Sequence, residues 1–232
     1  MKLQTRILAL AVGVVMLGLS GPSTSAQGAG QPQGGAGRGA AAPPAPAGPP
    51  TPVKLELSEG TKGRFKVQEQ LAGINFPSDA VGTTESITGT LVLGADSSVN
   101  SSQSKLTVDL RTLKSDQQLR DGYIQRNTLQ TDKFPLAEFV PRRAVGLPSP
   151  LPASQQAQAG FQLIGDMTVH GMTSEVTWNV VATFMTDTVA GRATTTLLFS
   201  QFGMSKPSLA RLLSVDDKIQ LEVEFRCKRT AL

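Results

Sequence analysis

Alternation of apolar and polar side chains is the main regularity of this chain, and it predicts β-strands. The clearest case is "KIQLEVEFRCK" (residues 218–228), in which every second side chain is apolar. The same pattern occurs in "RFKVQEQL" (64–71), "SITGTLVLGAD" (86–96), "SKLTVDLRTL" (104–113), "FQLIGDMTVHG" (161–171) and "SEVTWNVVATF" (174–184). Such alternation gives a strand one apolar and one polar face. In "RFKVQEQL", Glu69 interrupts the apolar face formed by Phe65, Val67 and Leu71.

One segment departs from the alternation. In "SDQQLRDGYIQRNTL" (115–129), Leu119, Tyr123 and Ile124 are spaced at helical intervals, and Ser115 or Asp116 could cap the helix. Gly122 weakens this helix, and Pro135 ends any helix before the next strand. We therefore expect one short helix or two turns here.

The pattern as a whole predicts an all-β domain of seven or eight strands with a short helical insertion. Strands with one apolar face, joined mostly by short turns, are typical of an antiparallel sandwich or a closed barrel. A barrel of about eight strands can hold one small ligand in its interior. The alternation alone leaves open whether the apolar faces pack against each other or surround a cavity.

The N-terminal part of the chain has a different composition. Lys2 and Arg6 precede an apolar run at residues 7–19 and a small-residue cleavage site after Ala26, which predicts a signal peptide at 1–26. The run is short for a membrane span, although an uncleaved anchor remains an alternative. Residues 27–52 are rich in Gly, Pro and Ala and predict a disordered linker, which leaves 53–232 as one domain. The protein is therefore expected to be exported.

Charge and motifs exclude several function classes. The formal net charge is +4 with dispersed charges, so nucleic acid is not expected as a partner. No catalytic, metal or cofactor motif is found, so the chain is expected to be a non-enzyme that needs no cofactor and binds no metal. Cys227 is expected to pack as a small apolar group, because it continues an apolar face.

His170 and Trp178, each the only residue of its type, allow two interpretations. His170 is interpreted as a turn residue that bonds to its own hairpin, with contact to a ligand headgroup as the alternative. Trp178 is interpreted as either packed core or the wall of a cavity. An enzyme using His170, Asp166, Arg120 and Asp121 is a third, weaker hypothesis, because no nucleophile–base pair accompanies them.

Three stretches resemble one family, the YceI-like proteins. "LRDGYIQRNTLQTDKFPLAEFVP" (119–141) is similar to that family's Arg-Asp, short helix and aromatic-Pro pattern, and "GDMTVHGMTSEVTWNV" (165–180) to its Gly-Asp-Leu-Thr-Ile-His-Gly hairpin. "FSQFGMS" (199–205) with "SVDDKIQLEVEF" (214–225) resembles its closing turn and last strand. The resemblance implies an extended, lipocalin-like, eight-stranded antiparallel β-barrel. In this family the barrel holds an amphiphile with a long isoprenoid tail, and its bacterial members are typically exported, which implies a periplasmic or secreted bacterial protein here.

The leading hypothesis is therefore a carrier or reservoir for an isoprenoid or similar apolar lipid. Transient contact with a membrane surface is a further hypothesis, and the alternative function is a tethered β-sandwich that binds a partner through its surface and holds no ligand. The resemblance and the apolar faces together predict the residues that line the ligand site: Phe65, Val67, Leu91, Leu106, Val108, Phe139, Leu163, Met167, Trp178, Val180, Leu221 and Val223.

Overall fold

The computed structural model describes residues 50–152, 157–208 and 210–232. The predicted signal peptide and almost all of the predicted linker lie outside these residues. Among the described residues there are eleven strands: β1 (Val53–Leu57), β2 (Lys62–Leu71), β3 (Ser78–Thr84), β4 (Ile87–Leu93), β5 (Lys105–Asp109), β6 (Lys114–Ser115), β7 (Leu136–Val145), β8 (Ala157–Val169), β9 (Met172–Phe184), β10 (Thr188–Leu198) and β11 (Leu212–Ala231). The remaining elements in that part of the chain are α1 (Gln118–Tyr123), a π-helical turn (Ile124–Thr128) and 3₁₀ turns at Ser101–Gln103, Leu110–Thr112 and Ser200–Phe202.

The strands form one antiparallel sheet that closes on itself. The order β1-β4-β5-β7-β8-β9-β10-β11 is completed by pairing of β11 with β1, which gives a closed barrel of eight strands. The predicted all-β, lipocalin-like barrel is confirmed. The alternative of an open sandwich is wrong, because the last strand returns to the first and leaves no second sheet.

The other three strands extend one end of this barrel. β11 is 20 residues long and pairs in succession with β1 and β2. At this end β3 pairs with β2 and lies in line with β4, and β6 pairs with β3 and lies in line with β5. Three positions in the wall are thus each filled by two strands in line: β1 with β2, β4 with β3, and β5 with β6. The barrel is therefore extended along its axis.

The predicted alternation places one face of each strand inside. On β9, Val176, Trp178, Val180, Ala182 and Phe184 are all buried, whereas the residues between them are at least partly exposed. Cys227 on β11 is buried, as expected, among apolar neighbours. The apolar faces therefore surround the barrel axis, and their polar faces form the outer surface.

His170 is part of the turn between β8 and β9. His170 and Gly171 have positive φ angles of 52° and 75°, the conformation that a two-residue hairpin turn requires. The prediction of a turn residue is confirmed, but its partner was predicted wrongly. Nδ1 of His170 lies 3.3 Å from the carbonyl oxygen of Phe202, so the ring ties the hairpin to the 3₁₀ turn after β10 instead of to its own backbone.

The helical insertion is present, with two differences from its prediction. Gln117, not Ser115 or Asp116, is the residue before the first turn of α1. Leu119 is 88 % exposed, so it does not belong to the apolar face that its spacing suggested. Asp116 and Arg120 are joined by an ion pair, so both are in use on the polar side of the helix. No helix in the described ranges has the length and apolarity needed to cross a membrane.

Candidate functional site

The barrel interior contains an apolar cavity of about 220 Å³, which we call the main cavity. Aliphatic and aromatic side chains from nine strands form most of its wall. The charged residues at its boundary, such as Arg64 and Glu222, form an ion pair at 3.7 Å with partly exposed side chains. The main cavity can therefore accept hydrocarbon, but it offers no charged group to a ligand.

Two polar atoms in the wall of the main cavity show how apolar its surroundings are. Burial raises the pKa of the Cys227 thiol to about 12, because the interior disfavours the thiolate. Nε1 of Trp178 is buried and has no hydrogen-bond partner among the described residues. The indole packs edge-to-face against Phe139, with ring centroids 6.3 Å apart.

A second cavity of about 140 Å³ lies next to the main cavity, toward α1. Most of its wall is also apolar, and it includes Val67, Leu129, Phe199 and Ile219. A common wall separates the two cavities, formed by Phe65, Leu110, Leu113, Ala137, Met167 and Leu221. Each cavity is smaller than a typical ligand pocket of roughly 300–1,000 Å³. Together they provide one elongated apolar interior, divided by side chains that include a flexible methionine.

The second cavity differs from the first by a charged cluster in its wall. Nη2 of Arg120 donates to Oε1 of Glu69 at 2.8 Å, and Nη1 of Arg120 donates to Asp116 at 2.6 Å. The side chains of Arg120 and Glu69 are only 11 % and 9 % exposed, so this is a buried ion pair. Asp116 completes the cluster from the solvent side, since its side chain is 73 % exposed.

Thr128 adds an unsatisfied hydroxyl to the same cavity. It ends the π-helical turn, is 2 % exposed and lines the second cavity. Within the described part of the chain, its Oγ1 has no hydrogen-bond partner. A buried hydroxyl without a partner costs roughly 1–3 kcal/mol.

The predicted lining residues gather around these cavities. Eleven of the twelve line the main cavity, and Val67 lines the second. The residues of the enzyme hypothesis are not brought together. Asp166 pairs with Arg142 on the outer face, His170 is held in its turn, and Arg120 lies in the second cavity.

Sequence reasoning missed the polar part of the site. The signal for Glu69 was visible, because a carboxylate in phase with the inward positions Phe65 and Val67 must be buried and must find a cation. Nothing local identified Arg120 as that cation, since the two residues are 51 positions apart. Thr128 carried no sequence signal.

Exposed apolar side chains surround this end of the barrel, and we call them the apolar rim: Ile74, Phe76, Leu119 and Leu213. Their segments are joined by hydrogen bonds. The amide of Ala72 donates to the carbonyl of Arg211 at 2.8 Å, and the amide of Ser208 donates to the Tyr123 hydroxyl at 3.2 Å. Phe76 is 76 % exposed and Leu119 88 %, an unusual exposure for large apolar groups on neighbouring segments.

Comparison with known proteins places the chain in a known group. The family model described as the YceI-like domain matches residues 57–227. No curated protein matches the chain.

Several solved structures share the fold. One is described as a polyisoprenoid binding domain from Saccharophagus degradans implicated in plant cell wall breakdown; it has a TM-score of 0.60 and 9% identity, with 77% of this chain and 98% of that chain covered. BcnA from Burkholderia cenocepacia has a TM-score of 0.53 and 15% identity, with coverage of 72% and 95%. The YCEI protein of Campylobacter jejuni has a TM-score of 0.51 and 13% identity, with coverage of 68% and 90%. At these identities the similarity shows the fold.

Proposed function

The chain belongs to the YceI-like domain family, and we propose that its barrel binds the hydrocarbon tail of an isoprenoid-type lipid and acts as a carrier or reservoir for it. The observation that carries this proposal is the main cavity, whose wall is built from apolar side chains of nine strands. A similar fold described as a polyisoprenoid binding domain supports the choice of lipid class.

The energetics of burial favour such a ligand. Each buried CH₂ group contributes about 0.8 kcal/mol, so one five-carbon unit contributes roughly 3–4 kcal/mol before ordering costs. A few units bind tightly without any charged contact. This agrees with a main cavity that has many apolar side chains and whose ion pairs face outward.

The proposal treats the chain as a binding protein and not as an enzyme. Residues 1–26 would direct it out of the cytoplasm, and residues 27–52 would act as a spacer before the barrel. The ligand-contacting residues would be the twelve predicted ones, eleven in the main cavity and Val67 in the second.

The apolar rim supports the carrier role. A carrier must meet a membrane to load or release lipid, and exposed aromatic and aliphatic groups can enter the interface of a bilayer. The rim surrounds the end at which the second cavity approaches the surface, because Arg120, Pro207 and Leu212 line that cavity and belong to the rim segments or their neighbours. Lys206 and Arg211 on the same end are exposed and would favour an anionic bilayer.

The test compares two variants on one strand. In β10, Ala193 lines the main cavity, and the next residue, Thr194, lies on the outer face. The exported protein is purified from its own host, weighed by native mass spectrometry and extracted with organic solvent. We expect the wild-type protein and Thr194→Phe to carry an apolar lipid, and Ala193→Phe to lose it.

The expected loss of affinity follows from the part of the cavity that the new phenylalanine side chain fills. Losing space for only two CH₂ groups costs about 1.6 kcal/mol, or roughly tenfold in affinity. Equal lipid content in both variants would contradict binding in the main cavity. Failure of the wild-type protein to bind added squalene would contradict the proposed function.

A further inference from the structure

We propose that the ligand enters and leaves the barrel through its side wall, between β9 and β10, rather than past the helical insertion at the end of the barrel. The inference rests on the proposed function and extends it, because it assigns a route to the lipid that the cavities hold. We call the part of the wall between residues 172–178 of β9 and residues 195–198 of β10 the slit.

The backbone pairing of β9 and β10 stops before either strand ends. The register ends at the pair formed by Asn179 and Thr194, although β9 begins at Met172 and β10 continues to Leu198. Along this stretch both strands remain paired on their other sides, β9 with β8 and β10 with β11. The wall is therefore continuous on each side of the slit, whereas the slit itself has no ladder of backbone hydrogen bonds.

Backbone groups on both sides of the slit face each other. Val169 and Met172 close the two-residue hairpin between β8 and β9, so the N–H and C=O groups of Met172 point toward β8. Alternation along β9 then directs the backbone groups of Glu175 and Thr177 toward β10, and alternation along β10 directs those of Thr196 toward β9. Widening the slit therefore breaks no backbone ladder.

Side-chain hydrogen bonds hold the slit closed. Oγ1 of Thr195 donates to the carbonyl oxygen of Thr177 at 2.8 Å, and Nε2 of Gln201 donates to Oγ of Ser174 at 2.8 Å. At the tip of the hairpin, the ring of His170 is tied to the 3₁₀ turn after β10. None of these three contacts joins two charged groups, so each is weaker than an ion pair in the same place.

The slit separates the apolar interior from a groove on the outside of the barrel. This outer groove has a volume of about 630 Å³, and its wall carries hydroxyl, amide and charged side chains from β9, β10, β11 and β2. Leu197 lines both the groove and the second cavity, and Leu221 lines the groove and both cavities. A single layer of side chains thus stands between the groove and the interior.

The route past the helical insertion is closed more firmly. Arg120 on α1 lines the second cavity and bonds to Glu69 on β2 at 2.8 Å, where both side chains are buried. Moving the insertion away separates this ion pair, and a buried charge without its partner is much more costly than a broken neutral hydrogen bond. The slit is therefore the part of the wall that opens at the lower cost.

The experiment measures the rates at which farnesol enters and leaves the full-length exported protein. Trp178 is the only tryptophan in the chain and lines the main cavity, so its fluorescence reports filling of that cavity after rapid mixing. An entry route belongs to neither the free nor the bound state. A change in the slit should therefore alter the association and dissociation rates by the same factor and leave the Kd constant.

A reversible cross-link closes the slit. The pair Thr177→Cys/Thr196→Cys continues the register of β9 and β10, and its disulfide should slow both rates at least about tenfold, until a reductant restores them. Val181→Cys/Arg192→Cys joins a registered pair of the same two strands and is the matched control, which should change neither rate. The native Cys227 is buried and does not compete for oxidation.

A second variant opens the slit and needs no cross-link. Thr195→Val keeps the shape of the side chain and removes the hydrogen bond to Thr177, so both rates should rise about fivefold, the equivalent of one net hydrogen bond. Thr194→Val, at the last paired position and on the outer face, is the control and should leave both rates unchanged.

The outcomes separate this inference from the proposed function. Unchanged rates in either the slit disulfide or Thr195→Val would overturn entry between β9 and β10, and so would equal slowing by the two disulfides. A changed Kd with an unchanged association rate would also overturn it, because the slit would then shape the cavity and not admit the ligand. Absence of farnesol binding by the wild-type protein would instead remove the proposed function.

Discussion

The two cavities of this barrel share a wall and differ in the residues that surround them. Apolar side chains from nearly every strand line the main cavity. Burial there raises the pKa of the Cys227 thiol, so the thiol stays neutral. The wall of the second cavity includes polar residues from distant segments: Glu69 on β2, Arg120 on α1 and Thr128 after it. Affinity for a tail can therefore be spread over many positions, whereas the buried ion pair depends on two residues.

This difference has consequences for mutation. An apolar wall position that is changed to another apolar residue of similar volume costs little, because cores tolerate such changes. Replacing one member of the buried ion pair by an apolar residue costs much more, because its partner stays buried and unpaired. The comparison is thus tested most strongly at the ion pair.

The largest expected effect is that of Arg120→Leu. It leaves the Glu69 carboxylate buried without its cation, and we expect the free energy of unfolding to fall by about 3–5 kcal/mol. The double variant Glu69→Leu/Arg120→Leu should recover most of this loss. Urea unfolding followed by Trp178 fluorescence measures both.

The matched control is an exposed ion pair of the same type. Arg192 is more than half exposed and pairs with Glu224 at 3.1 Å and with Glu222 at 3.4 Å. Glu222 keeps Arg64 as a partner, so Arg192→Leu should change stability little. A small effect of Arg120→Leu, equal to that of the control, would show that the buried ion pair stabilises the protein no more than an exposed one.

The same contrast explains what the sequence could predict. The lining of the main cavity could be predicted from the alternation of apolar and polar residues, because this period of two decides which side chains point inward once the sheet closes. Residues such as Trp178, Val180 and Leu221 followed from their phase alone. Val67 has the same phase as Phe65 but lies beyond the common wall, and alternation does not report the position of a residue along the barrel axis.

The second cavity could not be predicted in the same way. Its ion pair joins residues 51 positions apart, and this contact exists only after the insertion folds over the end of β2. The insertion's own pattern was misleading, because Leu119 had helical spacing but is 88 % exposed. Glu69 was the one visible sign: a charge in phase with the apolar face indicates a buried partner, even when the sequence does not reveal which.

A smaller effect, on the rate of lipid transfer, is expected at the apolar rim around the second cavity. Phe76→Ser should leave stability unchanged and slow lipid transfer to vesicles containing phosphatidylglycerol about tenfold, because inserting a phenyl group into a bilayer contributes about 1.5–3 kcal/mol. Transfer is measured with a fluorescent isoprenoid and vesicle-bound acceptor. Val181→Ser is the control, since Val181 is an exposed apolar residue on the outer face of β9. Equal slowing in both variants would mean that the rim has no special role.

The smallest effect tests how apolar the main cavity is, through Cys227. The pKa of its thiol is raised from 9.0 to about 12 in the folded protein by burial, whereas the unfolded chain deprotonates near the lower value. Above that value the unfolded state alone loses the proton, so the free energy of unfolding decreases as the pH rises toward 12. Between about pH 8 and pH 10 the expected loss is about 1 kcal/mol.

Cys227→Ala isolates this contribution from other groups that titrate at alkaline pH. The variant starts from a lower stability, because it removes a buried sulfur, but its stability should decline less steeply over the same pH interval than that of the wild-type protein. Parallel pH profiles would show that the thiol is hydrated, and the main cavity would then be less apolar than its lining indicates. A steeper wild-type profile would instead support an interior in which hydrocarbon is stable and charge is not.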